Sequence, residues 1–385
     1  MSVGVNKSDQ PLKRYIIHAL MILLGLIAIV PVYILLINAT RTTEQINTGL
    51  SIIPGKGAFF SSTDTVVSDW EADNESGTVR YLDLVMGATL KEEVNPKTGV
   101  NEKLVVKSWT ESRQPRIVIV DDDGERLAAF NLSNGATIFV ENGQKIQKGL
   151  TIATTITPPN VVYNWQSLIG RGFQIWQGFL NSAIISISAT LLSIYFSALT
   201  AYGLHVYRFR GRMAIWIIIL VIMMLPGSLT FIGFYQFMVM LNLTDTYLPL
   251  ILPGIAAAAT VLFIRQYMSS VLSMELVDAA RIDGAGEYRI FNTIILPVII
   301  PALAAQSIFT FVGTWNNYLL PAVIISSQER ATLPMLISAL RGDIYRTEYG
   351  GIYLGIAVSL IPIIIFYSIM SRFIISGITM GGIKE

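Results

Sequence analysis

The chain has 385 residues, 52% hydrophobic and 14% charged, with a mean hydropathy of +0.57 and a formal net charge of +1. This composition excludes a disordered chain and points to an integral membrane protein, and so small a net charge indicates no nucleic-acid partner. Cysteine is absent, and the two histidines, His18 and His205, lie far apart with no carboxylate cluster beside them, so neither a thiol nucleophile nor a metal site is expected.

Lys7, Lys13 and Arg14 precede an apolar run from Tyr15 to Ile37. The run exceeds the ~20 residues that cross a bilayer. No small-residue cleavage pattern follows it, so residues 1–40 are expected to be a cytoplasmic segment and a retained first span. Of the 53 charged residues, 28 fall between Arg41 and Lys148, which marks residues 41–165 as a water-exposed, extracytoplasmic insert. Its pattern is β-rich. Leu104-Val-Val, Arg116-Ile-Val-Ile-Val and Ala136-Thr-Ile-Phe-Val are β-branched runs, and Asp123-Gly, Asn134-Gly and Asn142-Gly are turn signals. Residues 50–100 carry weaker strand signals and receive no assignment.

Residues 166–385 read as a core of five further spans. The second opens at Asn181 and carries Ser186, Ser188, Thr190, Ser193, Ser197 and Thr200, small hydroxyl residues that let helices approach closely in lipid. Arg208, Arg210 and Arg212 place its end in the cytoplasm. Further spans are expected at about Met213–Phe234, Leu248–Tyr267, Leu296–Ile325 and Gly351–Phe373. The expected fold class is therefore mainly α: a polytopic bundle of six spans, both termini cytoplasmic, with the β-rich domain between spans 1 and 2. One outside loop, Ser326 to Gly350, departs from the charge bias by carrying Arg330, Arg341 and Arg346.

The segment 270–296 is charged although it sits between apolar runs. Ser273 is a helix cap, Glu275 falls in the first turn, and Gly284 comes where a helix end favours a left-handed residue. A short surface helix, a turn and a second helix entering a span are expected. Asp278-Ala-Ala, Asp283-Gly-Ala, Phe291, Ile294, Leu296-Pro and Pro301 resemble the Glu-Ala-Ala loop of membrane subunits in binding-protein-dependent ABC importers, with Asp278 where that family usually has Glu.

From Tyr163 onward the chain resembles the smaller permease subunit of maltose-type sugar importers. Asn181-Ser, Phe209-Arg-Gly-Arg, Thr246-Tyr-Leu-Pro-Leu, Phe263-Ile-Arg-Gln, Thr314-Trp-Asn-Asn-Tyr-Leu-Leu-Pro and Gly377-Ile-Thr-Met-Gly-Gly-Ile-Lys carry the likeness. Within the insert, residues 115–158 resemble a barrel-sandwich hybrid element through Ile117-Val-Ile-Val-Asp, Val140-Glu-Asn-Gly-Gln and Gly149-Leu-Thr-Ile-Ala, without the hairpin-tip lysine of a swinging-arm carrier.

The permease resemblance implies a multi-pass subunit of the bacterial inner membrane, surrounded by membrane lipid. It implies two ATP-binding cassette subunits, a second permease subunit and an extracytoplasmic substrate-binding protein as partners, and carbohydrate as cargo. It also implies residue roles. Glu275, Asp278, Ala279, Ala280, Asp283, Gly284 and Ala285 couple to the ATPase. Gly377, Thr379, Gly381 and Gly382 form a tail that reaches the same interface. Leu336 and Ser338 lie in the loop that approaches the binding protein. Gln306, Thr310, Trp315, Asn316 and Asn317, polar or aromatic at membrane depth, are candidates for the translocation path.

The chain has no phosphate-binding loop of its own and no readable Ser-His-Asp arrangement, so it is expected to hold no cofactor and not to be an enzyme. A membrane-anchored receptor or adhesion protein that binds a ligand through the β-rich domain is the alternative, and it leaves the 270–296 motif unexplained.

Overall fold

The computed structural model describes residues 10–49, 51–70, 76–82, 84, 90–94, 101–105, 115–132, 136–169, 175–225, 227–341 and 348–381. Two compact units are present, one made of Met1–Ala39 with Trp165–Glu385 and the other of Thr40–Asn164. In chain order, α1 (Gln10–Ala39) and α2 (Thr43–Asn47) come first. Strands β1 (Ser62–Val67), β2 (Ser76–Leu82), β3 (Leu90–Val94), β4 (Asn101–Val105), β5 (Arg116–Val120), β6 (Arg126–Asn131), β7 (Ala136–Ile138), β8 (Lys145–Gln147) and β9 (Thr151–Thr157) succeed them. Helices α3 (Asn160–Ile169), α4 (Ile175–Val206), α5 (Arg212–Met224), α6 (Gly227–Met240), α7 (Leu248–Ile251), α8 (Ala258–Val271), α9 (Met274–Ile282) and α10 (Glu287–Ile290) come next. The last are α11 (Leu296–Val298), α12 (Ile300–Trp315), α13 (Leu319–Ile324), α14 (Leu333–Ala339) and α15 (Tyr349–Gly381).

The Thr40–Asn164 unit is built from two antiparallel sheets, ordered β1-β9-β7-β4-β3 and β6-β5-β2-β8. Val79, Ile117, Ile119, Ile146 and Ile152 share one buried apolar cluster. Alternation along β5 carries Ile117 and Ile119 into it. The turns read at Asp123-Gly and Asn142-Gly are made by Gly124 and Gly143 at φ +85° and +88°. Asn134-Gly lies outside the described residues. Strands β1, β2 and β3 fall within residues 50–100, where the sequence pattern is weak. Of these, β3 is heavily charged (Lys91, Glu92, Glu93), so hydrophobic alternation does not announce it.

A polar hub closes this unit near its first residue. Asn160, buried at 3% exposure, donates from Nδ2 to the Thr40 carbonyl at 3.1 Å, to Gln45 Oε1 at 3.2 Å and to the Lys56 carbonyl at 2.9 Å. Gln45 Nε2 donates to the same Lys56 carbonyl at 3.0 Å, and the Gly55 amide donates to Thr40 Oγ1 at 3.2 Å. A Cβ on Gly55 would stand 2.7 Å from the Thr40 carbonyl oxygen and 3.0 Å from Arg41 Cα.

Among the described residues of the helical unit, four helical stretches are long and apolar enough to cross a membrane: Arg14–Ala39, Ile175–Val206, Leu248–Val271 and Tyr349–Ile375. A fifth crossing is made if Glu287–Val298 and Ile300–Trp315, bent by 80°, count as one broken span. Three expected spans depart from the uninterrupted form, the first being Leu248–Tyr267, broken between α7 and α8 by a tighter turn at Leu252–Gly254 and an extended Ala257. Met213–Phe234 is split into α5 and α6, each shorter than a bilayer crossing. Leu225, which precedes Pro226, is extended at φ −75° and ψ +127°, because the proline ring crowds the helical conformation of the residue before it. Leu296–Ile325 is interrupted at Ile299, between Pro297 and Pro301, and again after Trp315.

The small residues of α4 do pack. Ser186, Thr190, Ser193 and Ser197 are all buried. The other end of α4 is fastened by polar contacts: Asn181 Nδ2 donates to the carbonyls of Glu329 and Ala331, and Ser182 Oγ accepts from the Leu333 amide at 2.9 Å. Asp245, left-handed at φ +57°, ties two loops together. Its carboxylate accepts from both amides of Ser326 and Ser327, from the Ser327 hydroxyl at 2.9 Å and from Arg330 at 2.8 Å. The Ser327 amide leads in pushing this carboxyl down to about 2.

Two consequences are measurable. Gly55→Ala is expected to destabilise the Thr40–Asn164 unit by about 1–3 kcal/mol, the usual cost of forcing a methyl against fixed backbone, read as earlier heat-induced proteolysis of that unit in the full chain. A carboxyl with a lowered pKa contributes stability that is complete above its ordinary value of 3.8 and is lost as pH falls toward about 2. Asp245→Asn should therefore lower the thermal midpoint at neutral pH and flatten its fall between pH 4 and pH 2.

Candidate functional site

Helix α9 is nine residues long, too short to persist without tertiary support. Ser273 caps it, its Oγ accepting from the Glu275 amide at 3.2 Å, and Glu275 lies against the positive helix end. At the other end Gly284 is left-handed at φ +77°. The Ala285 amide donates to the Ala280 carbonyl and the Gly284 amide to the Arg281 carbonyl, both at 3.0 Å, the paired bonds that end a helix in a tight reversal.

The helix has two faces. Val277 (0% exposed) and Ala280 (6%) are buried with Ala198, Tyr202, Ile264, Met268 and Phe291. Glu275, Leu276, Asp278, Ala279, Ile282 and Asp283 face outward, with Ile282 at 86% exposure. Of the two alanines expected to lie against an ATPase, only Ala279 is on the outer face. Ala280 supports the close approach of α9 to its own chain.

An ion-pair node then fixes α9 to α10. Arg281 Nε donates to Glu287 Oε1 at 2.8 Å, and another guanidinium nitrogen donates to Asp278 Oδ1 at 3.0 Å. Glu287 Oε2 accepts from the hydroxyls of Tyr202, at 3.0 Å, and Tyr207. The Glu287 hydrogen bond raises the Arg281 pKa above its ordinary value, so the guanidinium stays charged at any physiological pH. Beyond the node, Phe291–Ile295 form a π-helical turn whose Phe291 and Ile295 are buried. Glu287, Tyr202 and Tyr207 are not among the residues expected from sequence. The available signal was the opposite charges of Arg281 and Glu287 on either side of Gly-Ala-Gly.

The other expected site residues scatter. Trp315 is 1% exposed, its indole N–H donating to the Ser359 carbonyl at 3.1 Å and its ring against Phe311 and Phe179. It is a core side chain here. Gln306 Oε1 accepts from the Thr260 hydroxyl at 3.5 Å, and the Thr310 carbonyl accepts from Thr314 Oγ1. Asn316 is exposed, whereas Asn317 Oδ1 accepts from the Leu320 amide. Thr314 and Asn317 share a small cavity with Ser182, Leu250, Pro321 and Thr332. Leu336 is buried at 3% exposure, against Gly178, and Ser338 is half-buried. Gly377, Thr379 and Gly381 lie in α15 with side-chain surroundings outside the described residues, and Gly382 lies outside them altogether.

Known proteins resemble this chain along most of its helical part. The arabinooligosaccharides transport system permease protein AraQ of Halalkalibacterium halodurans is 36% identical over 262 residues, covering 67% of this chain and 92% of that protein. The lactose transport system permease protein LacG of Rhizobium radiobacter is 32% identical, covering 54% and 74%. The sn-glycerol-3-phosphate transport system permease protein UgpE of Escherichia coli is 31% identical, covering 57% and 78%. In fold, the chain is similar to a crystal structure of a bacterial ABC transporter involved in the import of the acidic polysaccharide alginate, with a TM-score of 0.56 at 17% identity over 96% of this chain and 99% of that one. The pattern of one membrane-protein family matches residues 193–379, and with the 36% identity across nearly all of AraQ it shows that the chain belongs to the binding-protein-dependent transport system inner membrane components.

Proposed function

We propose that this chain is one permease subunit of a sugar or oligosaccharide importer, in which ATP hydrolysis by two partner subunits drives alternating access of a membrane cavity. The carrying observation is the outward face of α9, with Leu276, Ala279 and Ile282 beside the carboxylates of Asp278 and Asp283, braced by the Arg281–Glu287 pair. Such a face suits a cleft in an ATPase, with the apolar side chains as anchors and the carboxylates as charged contacts. The ABC-importer resemblance and the sugar-transport names of several relatives support the cargo class.

In this reading both termini are cytoplasmic, a second permease completes the pathway, and an extracytoplasmic binding protein delivers substrate near the loop from Ser326 to Gly350. The exposed Gln328 and the half-buried Ser338 are better crosslinking positions there than the buried Leu336. The small cavity lined by Thr314 and Asn317 is a more suitable part of the path than Trp315. Residues 115–158 belong, in the same proposal, to a barrel-sandwich-like element, a reading supported by the two antiparallel sheets around one core.

Docking and transmission separate experimentally. Ile282→Asp leaves the buried face intact, so the chain should insert normally while ATPase co-purification and uptake fall by about thirtyfold, the effect of losing an anchor worth about 2 kcal/mol. Normal co-purification in that variant would falsify the docking role. Glu287→Gln should have the opposite signature: the ATPase still co-isolates and hydrolyses ATP in reconstituted vesicles, but sugar uptake per ATP drops because the helix is no longer held by its charged partner. Unchanged uptake per ATP would remove the node from the coupling path.

A further inference from the structure

The Thr40–Asn164 unit exposes four large apolar side chains on one short loop: Ile52 at 70%, Ile53 at 66%, Phe59 at 61% and Phe60 at 82%. Water is a poor environment for such side chains, and four within nine residues of sequence call for a cover. The loop's position along the chain says what covers it. Thr40 comes directly after Ala39, the last residue of the membrane-crossing α1. The polar hub bonds Gly55, Lys56 and Asn160 to Thr40 or to groups that touch it. The Ala58 amide also donates to the Gly55 carbonyl at 2.9 Å, which folds Phe59 and Phe60 back to the same place. Ile53 is two residues from Gly55, at most about 7 Å of chain.

The depth of that place is set by helix length. Arg14–Ala39 has 26 residues, about 39 Å at 1.5 Å per residue, close to a bilayer with its headgroup layers, about 40–45 Å. The end of α1 is thus at headgroup level, and the loop is bonded to the next residue. Lys56 lies between the two apolar pairs and its residue is exposed, the arrangement by which a basic side chain meets phosphates while its neighbours enter the acyl boundary. On α3, Val162 and Tyr163 are likewise exposed two and three residues beyond the hub's Asn160.

We propose that the Ser51–Phe60 loop is a membrane-interface anchor: Ile52, Ile53, Phe59 and Phe60 enter the leaflet in which α1 ends, and Lys56 contacts lipid phosphate there. The anchor limits how far the β-rich unit can swing from the bilayer, whichever sugar the importer carries.

The absence of cysteine makes the test direct. Single cysteines at Ile53, Phe60, Asp123 and Leu24 are labelled with an environment-sensitive fluorophore in the full chain, reconstituted into phosphatidylcholine vesicles with nitroxides near the headgroup or deep in the acyl chains. Labels at Ile53 and Phe60 should shift to the blue and lose most of their emission to shallow nitroxides. Asp123, on an exposed turn, should do neither, and Leu24 in α1 should be quenched by deep nitroxides. The proposal is overturned if Ile53 and Phe60 behave like Asp123 while Leu24 is quenched, or if they become shielded only when purified binding protein is added. An unquenched Leu24 overturns it by removing α1 from the membrane. In vesicles with added phosphatidylglycerol, Lys56→Glu should reduce the quenching at Phe60, and unchanged quenching there overturns the phosphate contact.

Discussion

The Arg281–Glu287 pair is the charged contact that fixes α9 to the rest of the helical unit. A nine-residue surface helix cannot hold itself, and its buried face offers only Val277 and Ala280, which together cover little apolar area. An isolated exposed ion pair contributes up to about 1 kcal/mol. This pair is not isolated. Glu287 also accepts hydrogen bonds from the hydroxyls of Tyr202 and Tyr207, and Arg281 reaches Asp278 on its own helix. One carboxylate thus joins α9, the end of α4 and the start of α10. Its contribution is orientation: Glu287 ties Arg281 of α9 to the start of α10 and, through two tyrosine hydroxyls, to the end of α4.

Tyr202 gives this node a hydrophobic backing. Its ring packs against Phe291 at 5.4 Å and against Tyr207 at 5.8 Å, while its hydroxyl points at the carboxylate. An aromatic ring with a polar tip serves both the apolar cluster below and the charged surface above. The π-helical turn at Phe291–Ile295 comes at once and brings Phe291 and Ile295 into the same cluster. Charge, ring packing and an irregular helical turn therefore meet within a few residues of Glu287.

What could be read from sequence was what local chemistry dictates. The Ser273 cap, the acidic first turn and the left-handed Gly284 depend on neighbours within a few residues, and each has the expected geometry. The long apolar helices at Arg14–Ala39, Ile175–Val206 and Tyr349–Ile375 were legible for the same reason, since span length and hydropathy are properties of the stretch itself. The inward choice between Ala279 and Ala280 was not legible, because both are small and only the position of Phe291 and Met268 separates them. The breaks after Leu225 and at Ile299 were missed because averaged hydropathy does not register a missing N–H or a crowded preceding residue. Trp315 and Leu336 read as a path and a contact surface, yet each is buried in its own unit: the indole N–H finds the Ser359 carbonyl, and Leu336 fits over Gly178. Short, charged strands such as β3 carry little hydrophobic period to detect.

The bend at Ile299 gives the node its mechanical meaning. Were Glu287–Trp315 one straight rod, a push on α9 would run along its axis. The two halves instead meet at 80°, with Pro297 and Pro301 on either side of the break. If α12 crosses the bilayer, the Glu287–Val298 half runs near the membrane plane, and the two halves form a bracket. In the docking proposed for α9, force applied sideways to it would act as a torque on α12, provided the joint between α9 and the bracket does not slip. Gly284 alone cannot prevent slipping, because a glycine turn is the most compliant link in the segment. The charged bridge from Arg281 to Glu287 spans that turn and closes it into a ring, so in the proposed coupling the ion pair, more than the turn, sets how stiffly α9 is joined to the bracket.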